Sequence, residues 1–156
     1  MEVQEYNCHV GSDDGTAAEA THLLDWVEQM NEASKKFGKE FRICATLKKN
    51  MEEAGFVDVH EEVYKVPIGP WAKGKKNKEL GIYYRAQFID AVEPFTMALF
   101  TRVLGYTAEQ TKEVVAQVKP HLINPKLHMY VPFYLCLGQE TRIRPRHGTR
   151  HDSLRW

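Results

Sequence analysis

The side chains best suited to chemistry in this sequence are aromatic, imidazole and carboxylate groups. Trp71, Tyr83 and Tyr84 carry flat apolar rings with polar tips. Such residues line pockets for ring-bearing substrates. Ordinary core packing explains them too, because Tyr84, Phe88 and Phe95 fall at helical spacing. Glu5 and Tyr6 end a loose apolar–polar alternation over Glu2–Cys8 that reads as a strand. Ligands of open α/β sheets bind at strand ends, so the pair is a candidate for the edge of a cofactor or substrate site. Capping the strand is its plainer role. His128 belongs to the residue type with an ordinary pKa of about 6.5, suited to a general base. A structural hydrogen bond is the simpler use. Asp13-Asp14 suits a metal or ribose contact, but a turn and helix cap explain it more simply. His147 and His151 have a zinc-compatible spacing without partner cysteines, so no metal is expected. No Ser-His-Asp, HExxH, Walker A or paired catalytic carboxylate pattern occurs.

Bulk properties narrow the setting. The 156 residues suit one domain, 43% hydrophobic and 27% charged, with a formal net charge of zero. There is no global field for nucleic acid. Lys73–Lys78 and the arginine-rich end lack interleaved aromatics, so they read as a solvated loop and tail. Cys8, Cys44 and Cys136 are odd in number and far apart, which argues against a disulfide framework. The longest apolar stretch, near Phe95–Phe100, is far short of the roughly 20 residues of a membrane span. The opening residues lack a secretory pattern. An intracellular protein, cytoplasmic or nuclear, is expected, with no membrane and no nucleic-acid partner.

Elements follow from the periodicities. After the first strand, Gly11–Gly15 is a turn, and Thr16 with Glu19 has capping-box spacing. Ala20, Leu23, Leu24, Val27 and Met30 then mark an amphipathic helix stopped near Gly38. A second helix starts near Phe41 and ends at Gly55. Phe56–Tyr64 alternates as a strand continuing toward Val66, and Pro67–Trp71 closes it. A long helical pattern spans about Lys78–Leu104, which Pro94 should kink or split. Thr107 and Gln110 open another helix, stopped near Pro120. Met129–Leu137 is a final strand in which Pro132 predicts light pairing. Residues 1–139 read as one domain and 140–156 as a disordered basic tail.

A distributed set of short motifs carries a resemblance. These are Val3-Gln4-Glu5, Ser12-Asp13-Asp14-Gly15, Ala54-Gly55-Phe56-Val57-Asp58-Val59, Pro67-Ile68-Gly69-Pro70-Trp71, Leu104-Gly105-Tyr106-Thr107 and His128-Met129-Tyr130-Val131-Pro132. Over roughly residues 1–139 the ordered set resembles the fungal class I S-adenosylmethionine-dependent methyltransferases of the velvet-complex regulator type. The resemblance implies an α/β, Rossmann-like sheet whose last strand runs antiparallel between the fifth and the sixth. Glu2–Cys8, Phe56–Tyr64 and Met129–Leu137 would be strands five, six and seven, and three helices between six and seven would cap the substrate side. His128 and Tyr130 match a recurring His-x-Tyr of these proteins, which adds both to the substrate-pocket candidates.

The departure is in the cofactor half. In that family a glycine-rich loop precedes strand five, and here only Met1 does. No GxGxG-like run occurs in the chain. The expectation is therefore the C-terminal half of the fold, about three strands plus a helical cap, from a truncated product or an imperfect gene model. S-adenosylmethionine is implied by the family, but binding by this chain alone is not expected. Two functions follow. One is a methyltransferase-family protein of fungal secondary metabolism or its regulation, not independently active and with an unknown methyl acceptor. The other is a non-catalytic fragment that meets a protein partner through an exposed sheet edge.

Overall fold

The computed structural model describes residues 1–140. Its elements are β1 (Glu2–Tyr6), a 3-10 turn (Thr16–Glu19), α1 (Thr21–Lys36), a second 3-10 turn (Ile43–Thr46) and α2 (Leu47–Glu53). These are followed by β2 (Phe56–Pro67), α3 (Lys75–Leu99), a π-helical turn (Phe100–Leu104), α4 (Ala108–Ile123) and β3 (Tyr130–Glu140). The expected tail, 140–156, lies outside the described residues except for Glu140, the last residue of β3.

The described strands form one sheet in the order β1-β3-β2. β3 is antiparallel to both neighbours, with Tyr6 opposite Phe133 on one side and Tyr64 opposite Phe133 on the other. Alternation along β3 sends Val131 into the main core and Cys136 to the other face, because the two differ by an odd number of residues. α1, α3 and α4 bury Leu23, Trp26, Val92, Val115, Val118 and Leu122 in the core shared with Val131. α2 covers the opposite face through Met51, packed with Val59 and Cys136.

α1 buries Leu23, Val27 and Met30 of the expected stripe, with Trp26 and Ser34 beside them, while Leu24 is half-buried. Its start differs from expectation. Thr16 and Glu19 form no capping box; instead Gly15 at φ 81° leads into the 3-10 turn, and Asp14 takes the Thr16 N–H. At α4 the capping box does form: the Thr107 hydroxyl accepts from the Gln110 N–H, and the Gln110 side chain accepts from the Thr107 N–H.

Three expectations about proline are corrected. Pro94 does not split α3, and the helix departs from α geometry only at Phe100. Two helices with a π turn therefore stand where three were expected. Pro120 does not stop α4, which runs on to Ile123. Both prolines, and the residues four before them (Asp90 and Ala116), are exposed, so water can serve the carbonyls left without a donor. Pro132 lies in the central strand, opposite Lys65 of β2. On the β1 side its carbonyl accepts from the Asn7 N–H at 2.9 Å. The Asn7 carbonyl, which would have taken a donor from that position, accepts from the His9 N–H at 2.7 Å instead. The missing donor thus falls where β1 is already ending.

Two local features set the loops that follow. Asp58 has φ 51° at the register shift between Val57 and His60, a bulge conformation that aspartate tolerates better than most residues. Gly69 and Gly81 meet backbone to backbone, with the Gly69 N–H donating to the Gly81 carbonyl at 3.0 Å. A Cβ on Gly81 would lie 2.0 Å from the Gly69 oxygen. This contact fixes the Pro67–Trp71 turn against α3.

Candidate functional site

The candidates from sequence separate into two groups and one outlier. The first group surrounds a cavity of about 330 Å³ beyond the C-terminal end of β1. Tyr6 and Tyr84 both line it, together with Asn7, Trp26, Phe41 and Phe88. The Tyr6 ring lies 5.2 Å from that of Tyr84 and 4.8 Å from that of Phe133. Phe88 lies 5.9 Å from both Trp26 and Tyr84. Rings at these separations pack in tilted or edge-on contact.

Each wall has a cause. Tyr84, Phe88 and Phe95 recur along one side of α3, as their spacing requires. Trp26 is buried on α1, and its indole N–H donates to the Thr96 hydroxyl of α3 at 2.8 Å, joining the two helices behind the cavity. The floor is the segment after β1, pinned by the Cys8 carbonyl. That carbonyl accepts from the Asn31 amide and from Arg42 Nε, both at 3.1 Å. Arg42 is itself ion-paired with Glu28.

Two titratable groups of the cavity wall, Cys8 and Tyr84, are held neutral. Burial pushes the Cys8 thiol up to about 11, opposed in part by Arg42. Burial also holds the Tyr84 hydroxyl well above its usual range, with Tyr6 and Cys8 adding to it. Both groups stay protonated at neutral pH. The Oδ1 of Asn7 is buried without a hydrogen-bond partner.

The second group joins the Gly11–Thr16 turn to the start of β3. His128 Nδ1 is 2.7 Å from Asp14 Oδ2, and the His128 backbone N–H donates to the Thr16 hydroxyl at 2.9 Å. The Trp71 ring stacks on the His128 ring at 5.3 Å, and its indole N–H donates to the Met129 carbonyl at 2.9 Å. Lys65 pairs with Asp13 and sits 4.8 Å over the Tyr130 ring. Asp14 is lowered to about 2, chiefly by the Thr16 hydroxyl and N–H, with His128 adding. This group is an interlock of loop, strand and turn. Strand alternation explains its separation from the cavity, since Val131 lines the cavity while Tyr130 points to the other face.

The outlier is Tyr83, 72% exposed on α3 and part of neither group. Glu5 is exposed and its carboxylate accepts from the Tyr6 N–H at 3.0 Å, so it serves its own strand end. Sequence reasoning missed Asn7, Trp26 and Phe41. Trp26 lies three residues after Leu23, the one spacing signal that could have added it to the stripe, and nothing in the spacing of Asn7 or Phe41 signals the cavity.

The glycines give no cradle for an adenosyl cofactor among the described residues. Those with positive φ are Gly15, Gly38, Gly55, Gly69, Gly74 and Gly105, spread singly over separate turns and helix ends. Gly69 spends its close approach on Gly81. A cofactor-binding turn needs neighbouring glycines between a strand and a helix so that the backbone can reach the ligand. These residues by themselves do not fit the group. No cluster of three or more metal-ligating side chains occurs among the described residues. No helix among them is long and apolar enough to cross a membrane.

No protein-family model matches the chain. Individual proteins do. The protein named Probable methyltransferase tdiE, from Emericella nidulans, is 36% identical over 140 residues, covering 90% of this chain and 44% of that protein. Methyltransferase pytC of Aspergillus terreus is 29% identical over 90% of this chain and 43% of its own length. The secondary metabolism regulator laeA of Aspergillus fumigatus is 28% identical over 53% of this chain and 22% of its own length. The homologues of this chain are therefore fungal methyltransferases, of the kind that includes the secondary-metabolism regulator. The chain spans less than half the length of the two relatives it matches over 90% of its residues.

Proposed function

We propose that these residues form the acceptor-side, C-terminal part of an S-adenosylmethionine-dependent methyltransferase of fungal secondary metabolism or its regulation. In this reading β1, β2 and β3 are strands five, six and seven of a Rossmann-like sheet. α3 and α4 are the cap, and the cavity beyond β1 holds the methyl acceptor. The observation that carries it is the sheet order β1-β3-β2 with an antiparallel middle strand. That order fits the late strands of the methyltransferase sheet and places the cavity at a strand end, where open α/β sheets bind ligands. The names of the homologues support methyl transfer as the chemistry.

The cofactor is implied by kinship, and the described residues do not fit it unaided. The reading is therefore that these 156 residues alone neither bind S-adenosylmethionine nor transfer methyl groups. Isothermal titration of the purified chain with S-adenosylmethionine checks this. No saturable heat is expected, and binding in the micromolar range would overturn it.

A second reading has its own observation. β1 is paired on one side only among the described residues. Met1 and Asn7 bond across to β3, which sets the phase: odd-numbered residues face β3, and the backbone groups of Glu2 and Gln4 face outward. An open edge of this kind suits strand addition by a protein partner. The expected partner is a protein; neither nucleic acid nor membrane is part of the proposal.

A further inference from the structure

We propose that the cavity beyond β1 takes a flat aromatic compound of two or three fused rings bearing an O–H or N–H donor, and that Asn7 recognises that donor. This rests on the acceptor-side reading for its biological meaning, while the physical case lies in the cavity walls.

Four rings, Tyr6, Tyr84, Phe88 and Trp26, form a connected series along the lining, each 5.2–5.9 Å from the next. Such walls offer ring faces and edges to a flat ligand. The volume of about 330 Å³ is at the small end of the range for small-molecule sites, roughly 300–1,000 Å³. His9 and Gln87 are the further polar side chains of the wall, too few to replace the hydration that the many polar groups of a sugar or a phosphorylated compound would lose against these rings. The arginine near the site, Arg42, is committed to Glu28 and to the Cys8 carbonyl.

Selectivity comes from the polar atoms that remain. The Asn7 side chain makes no hydrogen bond within the described residues, and its Oδ1 is buried without a donor. Its backbone N–H is fixed on the Pro132 carbonyl, so the residue is held in place while its amide stays uncommitted. That oxygen has almost no surface open to the cavity as it stands, but an amide with neither end committed can turn to bring it against a ligand O–H or N–H. The Tyr84 hydroxyl also lacks a partner within the described residues and remains protonated, so it can donate to a ring oxygen.

The test uses 2-naphthol and naphthalene, which share a shape and differ in one hydroxyl, titrated calorimetrically into the full chain without cofactor. The wild type should bind 2-naphthol at least about fivefold more tightly, the factor a single net hydrogen bond contributes. In Asn7→Ala the preference should disappear while naphthalene still binds. Ala91→Trp, which fills the cavity from α3, should abolish both. Should Asn7→Ala not fold by circular dichroism, the wild type alone decides: the Asn7 side-chain amide resonances should shift with both ligands through their ring currents, and by a distinct further increment with 2-naphthol, whereas identical shifts would overturn the inference. Equal affinities in the wild type, a preference that survives Asn7→Ala, or binding that survives Ala91→Trp would overturn the inference. Because the titrations contain no S-adenosylmethionine, micromolar cofactor binding would overturn the proposal that these residues do not bind it unaided and leave this result standing. The reverse also holds.

Discussion

Asp14 ties the loop after β1 to the first residues before β3, through the Thr16 hydroxyl and N–H and through His128. Its carboxyl is lowered from an ordinary 3.8 to about 2. A depressed carboxyl stabilises the fold above its unfolded value and loses that contribution as pH falls through the folded value. Wild type should therefore melt above Asp14→Asn from pH 4 upward, and the gap should close as pH falls from 3.8 to about 2. Paired thermal melts across that window check this, and a gap that persists unchanged at pH 2 would contradict the assignment. At this scale the structure brings the residues marked in the sequence into two separate places. His128, Trp71 and Tyr130 do gather, but around a turn and a strand end. Tyr84 and Tyr6 meet at the cavity instead, which only the strand alternation and the packing of α3 decide.

Among the elements, the tightest contact is Gly81 of α3 against the turn after β2. Alanine is normally favoured over glycine inside a helix by about 1 kcal/mol. Here the added carbon would lie 2.0 Å from the Gly69 backbone oxygen, and backbone cannot step aside as a flexible side chain can. Overpacking costs of about 1–3 kcal/mol outweigh the helical gain. Urea unfolding should show Gly81→Ala less stable than wild type, and an increase in midpoint would refute the contact. Helix and strand positions were legible because each depends on short-range periodicity: α1, α4, β2 and β3 all fall close to their expected spans. The effects of Pro94, Pro120 and Pro132 were not legible. A proline disrupts only if its missing bond is needed, and that depends on exposure of the turn before it or on what the neighbouring strand is doing.

On the scale of the whole molecule, β1 has a strand neighbour on one side only among the described residues, and the backbone groups of Glu2 and Gln4 face outward. Unpaired edges template association unless blocked. The chain, 18.0 kDa as a monomer, should elute from a sizing column as a larger species at micromolar concentration. Gln4→Pro removes an outward N–H without touching the β3 ladder, so it should shift elution toward the monomer. A monomeric wild type would argue against the strand-addition reading.

The sequence by itself determined the order of the strands, the places of α1 and α4, the capped start of α4 and the kinship with fungal methyltransferases. Those depend on residue spacing, local capping chemistry and motif order, all of which act within one segment or survive as pattern. Tertiary structure alone decided that β3 lies between β1 and β2 in this register, that the aromatic candidates divide between two faces of the sheet, and that Asn7 is left with an uncommitted amide in the wall of a cavity. These depend on which distant segments pack together, and burial creates both the cavity and its unsatisfied carbonyl only once they have.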